Sequence, residues 1–300
     1  GNDNEFGRIR DPYLQSLVAH RSLETMQSTP VVVYLNGEYW GCYTLAEDYS
    51  DNYIKHNYGL DNENILIVKR GSVEDGNEED IYLYDELFDT IVDLDMSVPE
   101  NYEKACELLD MDSFAQYVAF NFYIHNQDTL FHGNNYSMWR CVVPDASSEV
   151  GDGKWRMLLY DTDYSSGIYD GGANYNKNNI KEIVNKKIDY NWKHHPNNLL
   201  ISLLESEEFR EKLILTMCDM RNVDFEKGRA KAMLDEMEEL LRSEIENAKG
   251  AIPIVEKDSR LGFEPRMIYI GDRAHIEWKI AQVEGVLKHE VDAYRECLKK

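Results

Sequence analysis

Polar residues in the middle of the chain have the types that phosphoryl transfer requires. Asp128 lies in the stretch "NFYIHNQDTLFHGNNYSMWR", which also contains the pair Asn134 and Asn135. Asp161 follows a later apolar run in "LLYDTDYSSG". Carboxylate and amide oxygens are the ligands that Mg²⁺ prefers, and a carboxylate that stays off the metal can orient an attacking hydroxyl. The residue types therefore permit metal-assisted phosphoryl transfer, although Asn and Asp are also common turn formers.

Each of these residues stands at the end of a predicted element. The run "SFAQYVAFNFYIHN" (113–126) is apolar on nearly every side, which predicts a buried helix that leads directly into Asp128. The runs "NYSMWRCVV" and "KWRMLLYD" predict the two strands of a hairpin over 136–160. We expect this helix and this hairpin to pack together and to place Asp128, Asn135 and Asp161 around one cleft.

The rest of the chain predicts a small β-rich part followed by helices. "VVVYLNGEYWGCYTLAE" indicates two strands around Asn36-Gly37, because Asn-Gly between β-rich runs is a strong hairpin signal. "NILIVK" (64–69) predicts a third strand. The acidic stretch "RGSVEDGNEED" lacks the ligand spacing of a calcium loop and is expected to be a solvated turn. Asp112 is the expected N-cap of the buried helix, and helical periods dominate the C-terminal half.

The bulk composition excludes several classes of protein. The 300 residues are 43% hydrophobic, which is enough for a real core in one large domain or two. The formal net charge of −24 repels nucleic acid and anionic membranes, so we expect neither as a partner. No apolar run approaches the roughly 18 residues that span a membrane. The five cysteines are scattered without a C-x-x-C, which argues against a zinc site or a redox motif.

The order of the parts is that of a protein-kinase-like phosphotransferase. In such enzymes a loop Asp orients the acceptor hydroxyl, a loop Asn holds a metal, and an Asp after the next hairpin holds Mg²⁺. Protein kinases place the Asn about five residues after the Asp, whereas the separations here are six and seven. No G-x-G-x-x-G and no V-A-I-K occur. The spacing alone therefore also leaves open a hydrolase that uses Asp128 and Asp161 as an acid/base pair.

Four motifs occur in order: "VVVYLNGEYWGCYTLAED", "NQDTLFHGNNYSMW", "KWRMLLYDTDYSSG" and "HPNNLLISLLESEEFREKLI". They resemble the CotH kinase family, the spore coat protein H-like proteins, over roughly 8–245. The resemblance implies an α+β, atypical protein-kinase-like fold in a single domain over 1–300. Its small β-rich part would cover about 8–80, and its mainly helical lobe about 81–300. It also implies ATP and Mg²⁺ or Mn²⁺ as cofactors.

The resemblance assigns roles to the residues of the two central motifs. Asp128 matches the catalytic aspartate of the family. Asn134 and Asn135 match its metal-side asparagines, and Asn135 is the preferred ligand because a strand follows it directly. Asp161 matches the metal-binding aspartate that replaces the kinase Asp-Phe-Gly. Asp163 is expected to support the site from behind or to cap a turn.

Two further residues are assigned to the nucleotide side of the site. Glu47 matches the Glu after the family's hairpin and is expected to position a lysine or a metal. Lys69 stands where the family often has a basic residue after a strand, and it faces either a phosphate or simply the solvent. The sequence departs from the family at Tyr160, where a Trp usually precedes the Asp. The β-rich segment that normally precedes the hairpin is also expected to be missing, which would truncate the β-rich part.

The function expected from the resemblance is ATP- and metal-dependent phosphoryl transfer to protein Ser/Thr hydroxyls. The partner would be a Ser/Thr-rich coat, surface or secreted protein, which favours a spore coat, cell surface or secreted location over the cytoplasm. The alternative is a non-catalytic adhesin or coat-assembly module on the same fold. The hydrolase hypothesis predicts no affinity for nucleotides. The oligomeric state is left open.

Overall fold

The computed structural model describes residues 9–130, 132–169 and 179–257. It is a mixed helix-and-strand fold with a small sheet region near the N-terminus, as the sequence predicts. In the described parts of the chain, no helix is long and apolar enough to cross a bilayer. The elements are α1 Arg10–Val18, β1 Ser28–Leu35, β2 Glu38–Ala46, α2 Asp51–Tyr58, β3 Ile65–Lys69, β4 Ser72–Asp75, α3 Tyr82–Asp93, α4 Pro99–Leu108, α5 Met111–Tyr123, β5 Tyr136–Cys141, β6 Arg156–Leu159, α6 Asn179–Val184, α7 Pro196–Leu203, α8 Glu207–Asn222 and α9 Lys227–Lys257.

The chain forms two compact units. In the first unit, α9 packs along both strands of the β1–β2 hairpin. The second unit comprises Gln15–Met26 and Glu47–Glu226, and it contains every residue to which the sequence assigns a role in the site. Each unit draws on separate stretches of the chain, and a single domain over 1–300 stays a prediction.

The first hairpin has the turn that the sequence predicts. β1 and β2 pair antiparallel and are joined by Asn36 and Gly37, whose φ angles are 52° and 84°. Two consecutive residues of positive φ make the turn whose twist matches that of the flanking strands. Asn and Gly are the residues that adopt this conformation most readily, so the prediction of a hairpin at Asn36-Gly37 is confirmed.

The second unit is built on a four-stranded antiparallel sheet in the order β4-β3-β5-β6. The predicted strand 64–69 and the predicted hairpin 136–160 are both present. The prediction of a solvated turn over "RGSVEDGNEED" was wrong, because part of this stretch is the edge strand β4. Arg70 and Gly71 have φ angles of 53° and 80° and form a two-residue turn that folds β4 back onto β3.

The residues that the sequence singles out lie at one edge of this sheet, namely the edge at which β3 and β6 end and β5 begins. Lys69 at the end of β3 lies opposite Ser137 near the start of β5, and Tyr136 lies opposite Leu159 at the end of β6. Antiparallel pairing therefore puts the end of β3, the start of β5 and the end of β6 together. Residues that precede β5 or follow β6 must emerge at this edge.

Helix α5 carries the chain to the same region. Asp110 caps it by accepting hydrogen bonds from the backbone N–H groups of Asp112 at 3.0 Å and Ser113 at 2.9 Å. The expected cap at Asp112 was therefore wrong, and Asp112 is itself a helical residue that receives the cap. Ser113 in turn accepts from the backbone N–H of Met157 at 2.9 Å, which fixes α5 against β6.

A buried carboxylate lies beside the end of β6. The backbone carbonyl of Glu24 accepts from the N–H of Leu159 at 3.0 Å, so this residue anchors the strand two positions before Asp161. Its side chain accepts from the hydroxyls of Tyr58 at 2.5 Å and Tyr53 at 3.3 Å. Burial raises the pKa of Glu24, and the hydrogen bonds from the two tyrosines oppose this effect only in part.

Glu24→Gln is expected to become more stable than the wild type as the pH rises. A raised carboxyl pKa contributes stability below the ordinary value of 4.5, and this contribution is lost as the pH rises through the folded-state pKa. Gln carries no charge, so the free energy of unfolding of the variant should rise relative to that of the wild type as the pH approaches neutrality. Urea unfolding of both proteins at about pH 5 and pH 8 measures it. The exposed Glu149→Gln is the control, and a pH-independent difference for Glu24→Gln would contradict the prediction.

Candidate active site

The structure brings the four central polar residues together. The side-chain amide of Asn135 donates to Asp128 Oδ2 at 3.0 Å and to the backbone carbonyl of Asp161 at 3.4 Å. The amide of Asn134 lies 3.5 Å from Asp128 Oδ1, at the limit of a hydrogen bond. Asn135 therefore spans the gap between the loop that carries Asp128 and the strand end that carries Asp161.

The backbone at this site adopts an uncommon conformation. Asn135 and Asp161 both have a φ of 46°, and His125 and Ser166 have φ angles of 53° and 50°. These are four of the six non-glycine residues of positive φ in the described chain. Such conformations cost free energy and persist only where the surrounding structure imposes them, and Asn and Asp tolerate them best. Asn135 and Asp161 lie where β5 begins and β6 ends, and His125 and Ser166 lie in the two segments tied together beside them, so this region is the candidate active site.

A buried polar network fixes the Asp128 loop to helix α5. Asn121, which is 1% exposed, accepts from the side-chain amide of Asn126 at 3.0 Å and from the hydroxyl of Thr129 at 2.9 Å. Asn126 in turn accepts from the backbone N–H of Asp128 at 2.9 Å. Sequence reasoning missed these three positions. The available signal was Asn121, a polar residue flanked on both sides by apolar and aromatic residues within the run that predicts the buried helix.

Asn121→Leu is expected to displace Asp128. If Asp128 acts on the substrate, a displacement of about 1 Å lowers the turnover number of the enzyme about 100-fold. The substitution also leaves the buried amide of Asn126 and the hydroxyl of Thr129 without their acceptor, which costs about 1–3 kcal/mol of stability. Steady-state kinetics and urea unfolding measure the two effects. The control is Asn57→Leu, since Asn57 donates to the carbonyl four residues before it as Asn121 does, but on an exposed helix face. Wild-type turnover in Asn121→Leu would show that the network does not position Asp128.

The far side of the same loop packs closely on the segment before α7. Gly133 has a φ of 66°, and a Cβ built on it would lie 2.6 Å from Trp192 Cη2 and 2.9 Å from His195 Nε2. His195 Nδ1 accepts from the backbone N–H of Asn197 at 3.1 Å, and burial lowers the pKa of His195 to about 4. The imidazole is therefore neutral near pH 7, with Nδ1 as an acceptor. Only glycine fits this contact without displacing the loop.

The segment that follows Asp161 is tied to the turn that precedes Asp128. The N–H of Gln127 donates to the carbonyl of Tyr164 at 2.9 Å, and the N–H of Ser166 donates to the carbonyl of Ile124 at 2.8 Å. Asp163 lies on this segment and is only 3% exposed. Burial places it beneath the surface of the site, which suits the supporting role that the sequence assigned to it.

Lys69 and Glu47 lie in the same unit with different surroundings. Lys69 ends β3 at the sheet edge of the site, and its Nζ lies 3.9 Å from the centre of the Tyr160 ring. This is a cation–π contact with the residue that directly precedes Asp161. Glu47 lies close enough to Tyr53 that its charge adds to the raised pKa of Tyr53, after burial and the effects of Glu24 and Tyr58.

The donor set suits a metal ion that arrives with a nucleotide. Asn135 uses its amide nitrogen for the carboxylate of Asp128 and the backbone carbonyl of Asp161, which leaves its amide oxygen and the side chain of Asp161 as candidate ligands. Within residues 9–130, 132–169 and 179–257, no group of three or more His, Cys, Asp or Glu side chains could hold a metal. Mg²⁺ at phosphoryl-transfer sites typically takes only one or two carboxylates and completes its shell with phosphates and water. The residues present therefore fit such a metal.

Comparison with known proteins agrees with the motifs. A family model described as CotH kinase protein matches residues 1–276 of the chain. This range includes the loop that carries Asp128 and the strand end that carries Asp161. A search of curated proteins finds no match.

Proposed function

Because the chain belongs to the CotH kinase family, we propose that it transfers the γ-phosphoryl group of ATP to serine or threonine hydroxyls of a protein. Membership of the family supports a kinase role and, in general terms, the use of ATP and a divalent metal. The observation that carries the proposal is the 3.0 Å bond from Asn135 to Asp128 together with its 3.4 Å bond to the Asp161 carbonyl. These bonds join the expected hydroxyl-orienting and metal-binding residues at one point.

Asp128 has the surroundings that an orienting carboxylate requires. The amides of Asn134 and Asn135 hold its two oxygens from one side, and the Asn121 network fixes its backbone from behind. The carboxylate is half-buried, so an acceptor hydroxyl can still reach it. In the proposed reaction Asp128 accepts a hydrogen bond from the serine or threonine hydroxyl and takes its proton as the oxygen–phosphorus bond forms.

Asp161 and Asn135 would hold the metal, which is Mg²⁺ or Mn²⁺. A bound divalent cation neutralises the charge that develops on the phosphate oxygens. Asp161 contributes a carboxylate at the end of a rigid strand, and Asn135 contributes its amide oxygen at the start of the neighbouring strand. Asn134 is the expected reserve ligand on the same loop. The left-handed backbone at Asn135 and Asp161 sets the directions of both side chains.

Lys69 and Glu47 belong to the nucleotide side of this proposal. Lys69 extends its ammonium group along the Tyr160 ring at the sheet edge that carries Asp161. From this position it can pair with a phosphate oxygen as a point charge. Glu47 would position that lysine or the metal, as the resemblance implies. Tyr160 supplies the ring face for this contact, at the position where the family usually has a Trp.

The proposed partner is a Ser/Thr-rich protein of a spore coat, a cell surface or a secreted fraction. The net charge of −24 argues against nucleic acid as a partner. A non-catalytic adhesin or coat-assembly module would have no use for a strained backbone at Asn135 and Asp161 beside the fixed carboxylate of Asp128. Retention of this arrangement therefore supports catalysis over a binding role alone.

A thermal-shift titration tests the proposal. We expect ATP with Mg²⁺ or Mn²⁺ to stabilise the protein, by about 2.7 kcal/mol at a ligand concentration 100 times the Kd. ATP with a chelator and Mg²⁺ with AMP are the controls, and both should give much smaller shifts. A shift that is the same with and without the metal, or no shift at all, would contradict a metal-dependent nucleotide site and would favour the hydrolase or the adhesin.

A further inference from the structure

A small pocket lies beside the Asp128 loop in the second unit. Its volume is about 120 Å³, and it lies between the turn after α5 and the segment after Asp163, with one side open to solvent. His125 and Gln127 form one wall, and the other is formed by Tyr164, Ser165, Gly167, Ile168 and Tyr169. The phosphoryl-transfer roles described above use none of the residues that line this pocket.

The pocket has a fixed shape. Backbone hydrogen bonds of 2.9 Å from Gln127 to Tyr164 and of 2.8 Å from Ser166 to Ile124 join its two walls. Ser166 and Gly167 follow one another with φ angles of 50° and 70°, so the lip of the pocket is a tight left-handed turn. A pocket whose walls are held by main-chain bonds is largely formed before a ligand arrives, which lowers the entropic cost of binding.

The pocket begins one residue away from the proposed catalytic carboxylate. Gln127 lines it and directly precedes Asp128, and consecutive Cα atoms are about 3.8 Å apart. An extended peptide advances about 3.3 Å per residue. This spacing matches a side chain located one or two residues from a hydroxyl that meets Asp128.

The size and lining of the pocket restrict what it can hold. A cavity of about 150 Å³ is enough for benzene, so a pocket of about 120 Å³ is too small for the side chain of Phe, Tyr or Trp. The described lining combines the rings of Tyr164 and Tyr169 and the aliphatic chain of Ile168 with uncharged polar groups. It contains no Asp, Glu, Lys or Arg, so a charged side chain would lose its hydration without gaining an ionic partner.

We propose that this pocket binds a small uncharged side chain of the protein substrate, such as Val, Thr or Pro, located one or two residues from the phosphorylated Ser or Thr. The pocket would thereby set the sequence preference of the kinase around its acceptor residue. This inference rests on the proposed function, since the position of the acceptor is defined by Asp128.

A peptide-binding series tests the proposal. The probes are fluorescein-labelled peptides with one serine among alanines, in which one flanking position at a time carries Gly, Val, Phe, Trp or Asp. Fluorescence polarisation in the presence of Mg²⁺ and a non-hydrolysable ATP analogue gives their affinities. At one flanking position, the Val peptide should bind about 10-fold more tightly than the Trp and Asp peptides, since filling a fitted apolar pocket discriminates to that extent.

Two variants connect the preference to the pocket. Tyr169→Ala enlarges the pocket at a residue that is 62% exposed, so it should fold normally and bind the Trp peptide nearly as well as the Val peptide. Gln127→Phe should fill the pocket and remove the advantage of Val over Gly. The control is Tyr190→Ala, which removes a tyrosine that is 68% exposed and does not line the pocket.

The outcomes separate this inference from the proposed function. Equal affinities across the series, a preference that Tyr169→Ala does not change, or no peptide binding at all would overturn the pocket assignment. None of these results affects the metal-dependent stabilisation by ATP, which reports the nucleotide site. Conversely, selective peptide binding without stabilisation by Mg²⁺-ATP would retain the pocket and overturn the kinase proposal.

Discussion

Asp128→Asn is expected to lower phosphoryl-transfer turnover by about 10²–10⁴-fold and to leave the affinity for Mg²⁺-ATP nearly unchanged. The reason is that Asp128 contacts the acceptor hydroxyl in the proposed reaction, whereas the metal is held by Asp161 and Asn135. Asn has the same shape as Asp but cannot take a proton, and its amide nitrogen cannot accept the bonds from Asn134 and Asn135. The measurement is turnover on a Ser/Thr-rich peptide, together with thermal-shift affinities for Mg²⁺-ATP.

A matched turn aspartate provides the control for this substitution. Asp145 accepts from the backbone N–H of Ser147 at 2.8 Å in a solvated loop, so Asp145→Asn should preserve both turn and turnover. If Asp128 also served only as a turn former, Asp128→Asn would be equally neutral. Turnover of Asp128→Asn that matches the Asp145→Asn control would therefore contradict the assignment of the catalytic aspartate.

Asp161→Ala is expected to abolish stabilisation by ATP that depends on Mg²⁺, and to abolish turnover with it. Asp161 provides the carboxylate of the proposed metal site, and a metal held there would neutralise charge on the phosphates, so nucleotide affinity and rate should fall together. The measurement is a thermal-shift titration of the variant with ATP, with and without Mg²⁺ or Mn²⁺. Normal metal-dependent stabilisation of the variant would show that Asp161 is structural.

The backbone at Asp161 requires additional controls. Its φ of 46° disfavours Ala, so the substitution could act through strain instead of metal binding. Asp161→Asn tolerates the same φ and removes only the charge, and it should also lose most of the metal-dependent stabilisation. Asn36→Ala imposes comparable strain at a φ of 52° in the hairpin turn of the first unit, and it should leave the nucleotide response unchanged.

The two aspartates should therefore behave differently. Loss of Asp128 should affect the rate alone, whereas loss of Asp161 should affect both rate and nucleotide affinity. Neither a pair of turn formers nor a hydrolytic acid/base pair gives this asymmetry, because in those cases nucleotide affinity is absent or independent of both residues. The comparison separates the kinase from its alternatives with one pair of variants.

Local signals in the sequence were enough to predict the elements that carry the site. Turn chemistry at Asn36-Gly37 and short, largely apolar runs around 64–69 and 136–160 predicted the strands, because hairpins are specified by neighbouring residues. The positions of Asp128 and Asp161 at element ends followed from these runs. Strand β4 was missed because three of its four residues are polar and none is buried, as is common for an edge strand.

The support of the site depends on contacts that are distant in sequence, and local patterns do not encode them. Asp110 is the N-cap of α5 because its side chain accepts hydrogen bonds from two backbone N–H groups. Asp112 is also an Asp near the start of the helix, so residue type alone does not distinguish the two. The contact of Gly133 with Trp192 and His195 joins residues about sixty positions apart. Glu24 is polar in sequence and becomes buried only because Tyr53 and Tyr58 fold over it.

The left-handed backbone of Asn135 and Asp161 is a further property that the sequence did not reveal. Asn and Asp tolerate a positive φ, but most Asn and Asp residues do not adopt it. The conformation arises where β5 begins and β6 ends at one sheet edge, so it depends on the pairing of both strands. The types of the site residues were thus predictable, whereas their orientation was not.

The most direct measurement of the central claim is phosphate transfer from ATP labelled at its γ-phosphorus. The full chain is incubated with Mg²⁺, labelled ATP and a Ser/Thr-rich peptide, and mass spectrometry locates the label on the peptide and on the protein itself. The account predicts labelled phosphoserine or phosphothreonine that disappears in Asp128→Asn and when the metal is chelated. Binding of Mg²⁺-ATP without any labelled serine or threonine, or labelling that persists in Asp128→Asn, would contradict it.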